Sequence, residues 1–387
     1  MRSIKYTAAL LSLLLLLCGC GTGHESVPAA APVPTSAPTL EPTPLPTPTP
    51  TPAPSKAELL LSEMTLEEKV AQLFFVRCPD TDAESMIAEL QPGGLLLFGR
   101  DFAGLTREEV KEKLALYQQS AKLPLLIGTD EEGGTVVRVS QNPALSEARF
   151  KSPRDLYAEG GLQHLLESER EKCALLRELG VRVNFAPVCD LSDDPSGFMY
   201  PRALGLSAEE TAAVIADVVT LCETEQTGTV LKHFPGYGNA DDTHVGIVYD
   251  ERPFETFRTE DFLPFAAGIE AGADCVMVAH NIVTCVDAER PASLSPKWYS
   301  VLRHELGFDG VIITDDLVMD AITQYTQSAS SAVDAVLAGC DMLCSSDFAV
   351  QFDAVLQAVR AGEIKESRVD ESVLRVLRWK AELGLLE

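Results

Sequence analysis

The sequence predicts a single (β/α)8 TIM-type barrel, reached through an N-terminal leader and a proline-rich arm. Three observations carry the prediction. Eight short apolar, β-rich runs alternate with segments of helical spacing. They occupy about 330 residues, a length one α/β barrel can use. Polar residues of catalytic type close the strand runs, and a barrel gathers all such ends on one face.

The elements follow in chain order. Residues 1–20 carry Arg2 and Lys5 and then a short apolar core from Ala8 to Leu17. That core is too short to span a bilayer and reads as a signal peptide. The run ends Leu17-Cys18-Gly19-Cys20, which resembles a bacterial lipobox. Gly19 is the small residue before the cut, so Cys20 is the expected lipidation site. The bulky Leu17 makes Cys18 the poorer candidate, and a plain secretory signal or an uncleaved anchor are the alternatives. Residues 21–56 hold eleven of the 24 prolines. Proline lacks a donor and fixes φ, so this stretch forms a spacer and no core. In polyproline geometry it reaches at most about 110 Å.

Residues 57–387 form the expected barrel domain. The strand runs are Leu73–Val76, Gly94–Phe98, Leu125–Thr129, Val183–Val188, Thr229–His233, Cys275–Ala279, Val311–Thr314 and Met342–Cys344. Helical spacing falls at Thr106–Lys122, Leu162–Leu179, Ala208–Thr224 and Phe348–Ala361. Near-continuous apolar strands imply a parallel sheet covered by helices. An open doubly wound sheet is the alternative, because strand count does not prove closure. Asp130, Asp190, Lys232 with His233, His280 and Asp315 each stand where a strand run ends.

Composition narrows the function. The formal charge is -27, from 58 acidic against 31 basic residues. So acidic a chain is a poor partner for nucleic acid. Hydrophobic residues at 46% and charged residues at 23% exclude wholesale disorder. Beyond Cys18 and Cys20 the cysteines mostly sit in apolar runs and read as small buried hydrophobes rather than disulfides. No Cys/His spacing matches a zinc site, so neither metal nor organic cofactor is expected.

Five segments hold the chemistry: Gly128–Arg138 (GTDEEGGTVVR), Tyr200–Gly205 (YPRALG), Lys232–Gly238 (KHFPGYG), Asp242–His244 (DTH) and Gly310–Leu317 (GVIITDDL). Together and in this order they resemble glycoside hydrolase family 3, in its β-N-acetylhexosaminidase branch. The resemblance runs from Leu66-Glu67-Glu68-Lys69 to Asp370-Glu371-Ser372-Val373.

The resemblance implies a retaining β-glycosidase. Asp315 would be the nucleophile, a carboxylate that stays ionised and bonds to the anomeric carbon. Its other reading is a helix N-cap, a part Asp316 fits better. His244 would be the acid/base, with Asp242 orienting the imidazole for donation to the leaving oxygen. An incidental Asp and His on a surface loop is the alternative. Asp130, Arg138, Arg202, Lys232 and His233 resemble the set that binds the sugar beside the cleaved bond. Structural pairing of Arg138 with Asp130 or Glu132, and of Lys232 with Asp190, competes with that role. His280 reads equally as a satisfied core residue or a ligand contact, Asp190 as a supporting residue, and Glu131 with Glu132 as a solvated or salt-bridged loop. Tyr237 stands where the family more often has His, Asn239-Ala240 replaces Asp-Thr, and the spacer to Asp242 is one residue shorter.

Family 3 β-glucosidases take their acid/base Glu from a second domain. This chain reaches Glu387 after one barrel's length, so the acid/base is expected on a barrel loop, the pattern of the N-acetylglucosaminidase branch. The expected substrate is β-linked N-acetylglucosamine at the non-reducing end of peptidoglycan fragments or chitooligosaccharides. The leader and spacer place the enzyme at the outer face of the bacterial membrane, in the cell-wall zone. A β-glycosidase of relaxed specificity, including β-glucosides, and a lipoprotein that binds wall sugars without cutting them are the alternatives.

Overall fold

In the computed structural model the described residues are 55–386. The leader, Cys20 and nearly all of the proline-rich arm lie outside them. Eight strands make one parallel sheet: β1 (Phe74–Arg77), β2 (Gly94–Leu97), β3 (Leu126–Thr129), β4 (Val183–Asn184), β5 (Gly228–Phe234), then β7 (Cys275–Val278), β9 (Val311–Thr314) and β10 (Leu343–Ser345). The remaining two, β6 (Tyr249–Asp250) and β8 (Ile282–Val283), form a small parallel pair of their own that the sequence did not signal. The sheet order is β10-β1-β2-β3-β4-β5-β7-β9. It closes where the Thr314 N–H donates to the Met342 carbonyl at 3.2 Å and the Met342 N–H to the Ile312 carbonyl at 3.0 Å. Closure decides for the barrel and against the open sheet.

Alternation along each strand sorts the side chains. Phe75, Leu96, Leu126, Val183, Val230, Cys275, Met277, Val311, Ile313, Met342 and Cys344 pack together in the barrel interior. Their neighbours Phe74, Val76, Leu231, Val276, Ile312 and Leu343 pack outward against the helical layer. Both faces are therefore apolar, which is why the runs looked continuous in sequence. Val376, Trp379 and Leu383 of the C-terminal helix Glu366–Glu382 join the interior cluster from the end opposite the strand C-termini.

The helices start where capping chemistry allows. Thr106 and Ser207 each accept from the backbone N–H three residues on, and Glu109 and Glu210 bond back to the capping residues' N–H groups. These boxes open the helices Arg107–Ser120 and Ala208–Thr224. The helix expected from Leu162 begins earlier, at Pro153, with Ser152 as its cap. Gly160 and Gly161 interrupt it with non-helical backbone, which is why the periodicity was legible only after them. Strand β4 is shorter than the run Val183–Val188, because Pro187 lacks a ladder donor; pairing resumes only as a bridge from Val188 to Lys232. The eight cysteines of the barrel are free, and all but Cys285 are buried.

Candidate active site

Counting by two along the strands from the interior residues leads to one face. From Phe75 the next inward position is Arg77, and from Leu96 it is Phe98. Leu126 leads through Gly128 to Asp130, Val230 to Lys232, and Val311 through Ile313 to Asp315. All five endpoints line one cavity of about 750 Å³. Arg138, Arg202, His233, Asp242 and His244 line it as well, so the structure brings together every strand-end and loop residue singled out for sugar binding and catalysis. A larger cavity of about 1040 Å³, walled by Arg154, Tyr237, Tyr249 and Asn239, contains none of them.

One wall is a buried charge lattice. Lys232 Nζ donates to Asp130 Oδ1 at 2.7 Å and meets Glu132 Oε1 at 2.6 Å. Arg202 grips Glu132 with two bonds, Nη2 to Oε1 at 2.7 Å and Nε to Oε2 at 2.9 Å. Burial opposes the charge on Glu132, but Lys232 and Arg202 outweigh it and hold the carboxyl far below its usual range. Burial also works against the charge on Lys232, and Asp130 with Glu132 overcomes it and raises the ammonium's pKa. Lys232 therefore pairs with Asp130 and Glu132, not with Asp190. Glu132 is 3% exposed, so the loop is salt-bridged rather than solvated. Its importance was missed because its partners are 70 and 100 positions away in sequence.

Glu131 does a different task. It accepts the N–H groups of Arg138 and Val139, both at 2.7 Å, and of Ser140 at 3.2 Å. That fixes the turn which delivers Arg138. Gly133 sits at φ 102 with the Lys151 carbonyl 2.2 Å from where a Cβ would stand, so only glycine fits there.

Asp190 lies behind the wall. Its Oδ2 meets His233 Nδ1 at 2.7 Å and the His233 N–H at 3.0 Å, and its Oδ1 accepts the Tyr237 N–H at 2.8 Å. The other ring nitrogen, His233 Nε2, lies 3.2 Å from Arg202 Nη2. Asp190 thus supports His233 from behind.

Arg77 and Arg138 flank the Phe98 ring, with Cζ atoms 4.5 and 5.6 Å from its centroid. Neither guanidinium has a carboxylate partner among the described residues, and the Nε of each is buried without an acceptor. The pairing of Arg138 with Asp130 or Glu132 is therefore absent; Lys232 and Arg202 hold those carboxylates. Arg77 and Phe98 were missed as site residues. The signal that could have found them is the two-residue count from Phe75 and Leu96.

Asp315 follows β9. Its Oδ1 accepts the Asp316 N–H at 2.8 Å. Burial raises the cost of its charge, but the imidazoles of His280, His233 and His244 and that N–H more than offset it, so the carboxyl is held below its ordinary value. Neither Asp315 nor Asp316 caps a helix, since the next one, Asp320–Thr323, has Met319 at its N-cap. Asp316 instead accepts the N–H groups of Val318 at 3.3 Å and Ser346 at 3.2 Å. His280 is fully buried and satisfied, with Nδ1 2.7 Å from Ser293 Oγ and Nε2 3.0 Å from the Asp316 carbonyl. Burial lowers its pKa. It does not line the cavity.

The loop 238–246 adds Asp242 and His244 to the lining of the cavity. His244 Nδ1 lies 2.6 Å from Asp242 Oδ1, and the His244 N–H donates to the same oxygen at 2.9 Å. The two side chains are 57% and 28% exposed. An ionised carboxylate thus shares a cavity with an imidazole held by a second carboxylate. Such a set can supply a nucleophile and a proton donor to one bond.

Comparison with known proteins gives a consistent picture. The model of the glycosyl hydrolase family 3 N terminal domain matches residues 65–379. A beta-hexosaminidase of Xylella fastidiosa (strain 9a5c) is 37% identical over 257 residues, 65% of this chain and 75% of that protein. One from Stenotrophomonas maltophilia (strain K279a) is 37% identical over 260 residues, 75% of its length. Among solved structures, a glycoside hydrolase family 3 beta-N-acetylglucosaminidase from Paenibacillus sp. str. FPU-7 superposes with a TM-score of 0.78 at 33% identity. That match covers 83% of this chain and only 63% of the Paenibacillus chain. M tuberculosis LpqI superposes at 0.77 with 28% identity, over 84% of this chain and 96% of that one.

Proposed function

The chain belongs to glycosyl hydrolase family 3, and from that premise we propose that it is a retaining β-N-acetylhexosaminidase. Its substrate is terminal β-linked N-acetylglucosamine on peptidoglycan fragments or chitooligosaccharides. The observation that carries the reading is the shared cavity of Asp315, with its depressed pKa, and the His244–Asp242 pair.

In the first step Asp315 attacks the anomeric carbon. The bond to the leaving oxygen breaks, and His244 gives that oxygen its proton. The product is a glycosyl ester on Asp315 and a neutral leaving alcohol. In the second step water attacks the anomeric carbon, His244 takes a proton from that water, the bond to Asp315 breaks and returns its carboxylate, and the sugar leaves with its original configuration. Asp242 orients the imidazole throughout. Lys232, Arg202, His233 and Asp130 present fixed donors and acceptors to the sugar hydroxyls, locked in place by Glu132 and Asp190. Arg138, free of a carboxylate, adds a charged donor from the other wall.

The positively charged leader, the small Gly19 before Cys20 and the proline-rich spacer support a lipid-anchored position at the outer face of the cell membrane.

The reading is tested by assaying the chain on an aryl β-N-acetylglucosaminide beside the matching β-glucoside. Hydrolysis of the first alone is expected, abolished in Asp315→Ala and lowered about 10²–10⁴-fold in His244→Ala on substrates with poor leaving groups. Activity that survives Asp315→Ala would remove the nucleophile assignment. Equal rates on both sugars would remove the N-acetyl specificity.

A further inference from the structure

We infer that Tyr237 is the positioning residue of the acid/base loop, acting through the hydroxyl of Thr243. The inference rests on the reading of His244 as proton donor and adds the device that holds it.

The segment 242–244 alternates in burial. Asp242 and His244 line the cavity, while Thr243 between them is fully buried. Thr243 is gripped on two sides. Its hydroxyl meets the Tyr237 hydroxyl, and its carbonyl accepts the Ala321 N–H at 3.2 Å. Ala321 belongs to the short helix that follows the strand bearing Asp315, so this bond ties the dyad loop to the nucleophile's own connection.

Tyr237 is itself held on several sides. It is 1% exposed, and its N–H is held by Asp190. Its ring stands edge-on to His233, centroids 5.4 Å apart, and lies 6.0 Å from Phe198. Burial keeps its hydroxyl protonated by pushing the pKa well up. One carboxylate, Asp190, therefore fixes both a sugar-side imidazole and the residue that fixes the dyad.

The dyad has little else. The bonded side-chain partner of His244 is Asp242, on the same loop, and its ring contact is Phe198 at 6.1 Å. Gly238 at φ 55 and Gly246 at φ 157 bound the segment, so its own backbone is permissive. A phenylalanine at 237 would keep the ring contacts and leave the Thr243 hydroxyl buried without a partner. The loop would then move to hydrate that group, and His244 would move with it. Proton transfer depends on that position, whereas the barrel's folding does not.

The test separates proton donation from everything else. A β-linked disaccharide of N-acetylglucosamine has a poor leaving group that must be protonated. A dinitrophenyl N-acetylglucosaminide departs without a proton. In Tyr237→Phe, kcat/KM on the disaccharide should fall at least about tenfold more than on the aryl glycoside. Thr243→Val should do the same and carries the test if Tyr237→Phe does not fold. The double variant should be no worse than either single one, because the two hydroxyls act as a unit. Equal losses on both substrates, or losses that multiply in the double variant, would overturn the inference while leaving the proposed hexosaminidase activity intact. A wild-type chain that cleaves neither substrate would overturn the proposed hexosaminidase activity and this inference together.

Discussion

Glu132 shows what a buried carboxylate does at the scale of one residue. It is the common partner of Lys232 and Arg202, themselves at 2% and 10% side-chain exposure. Two cations this close repel unless an anion sits between them, and here Asp130 can satisfy only Lys232. In Glu132→Gln the shape is kept and the charge is lost. Breaking a buried ion pair on one side costs about 3–5 kcal/mol, so the midpoint of denaturant unfolding should fall by that equivalent. A loss below about 1 kcal/mol would mean the lattice is not held by this charge. Motif order singled out Asp315, Asp242 and His244, and the structure places all three on one cavity. Glu132, Arg77 and Phe98 were not legible in that way. Glu132 depends on partners far away in sequence, and Arg77 and Phe98 acquire meaning only once the inward register of β1 and β2 is known. For His280 the sequence left two uses open, and the bonds to Ser293 and the Asp316 carbonyl select the satisfied core role.

Elements were legible where period and capping agreed. Helix Ala208–Thr224 was read to the residue, since Ser207 and Glu210 form a capping box ahead of an apolar stripe. Helix Pro153–Leu179 was read only in its second part, because paired glycines break its period. The β6–β8 pair was invisible, since two-residue strands carry no periodicity. The C-terminal helix holds a testable group. Lys380 is fully buried, and its Nζ donates to Gln72 Oε1 at 2.6 Å. Burial lowers its pKa from 10.5 to about 7. Above pH 7 the folded helix holds the neutral amine while the unfolded chain still binds a proton. Its contribution to stability is therefore complete above 10.5 and is lost as pH falls through about 7. Thermal unfolding between pH 7 and 10 should show a midpoint that rises with pH from this group, and Lys380→Met should flatten the rise. An unchanged slope in the variant would show that Lys380 stays charged in the fold.

For the whole molecule, closure of the sheet turns separate motifs into a site. Asp130 and Asp315 lie 185 positions apart in the numbering, yet both stand at strand ends around one ring and line one cavity. The barrel supplies rigid columns of side chains, the loop 238–246 supplies the exposed dyad, and Asp190 with Tyr237 joins the two. On the function proposed above, that division would give Asp315 as a fixed nucleophile and His244 as a proton donor with freedom to serve first as acid and then as base. Trapping the glycosyl ester tests it most directly. The full chain would be treated with a fluorinated N-acetylglucosaminyl substrate whose intermediate hydrolyses slowly, then digested and sequenced by mass spectrometry. One sugar on the peptide bearing Asp315, absent in Asp315→Ala, is the expected result. A sugar attached at another residue, or steady turnover of the natural substrate with no adduct at all, would contradict a covalent mechanism through Asp315.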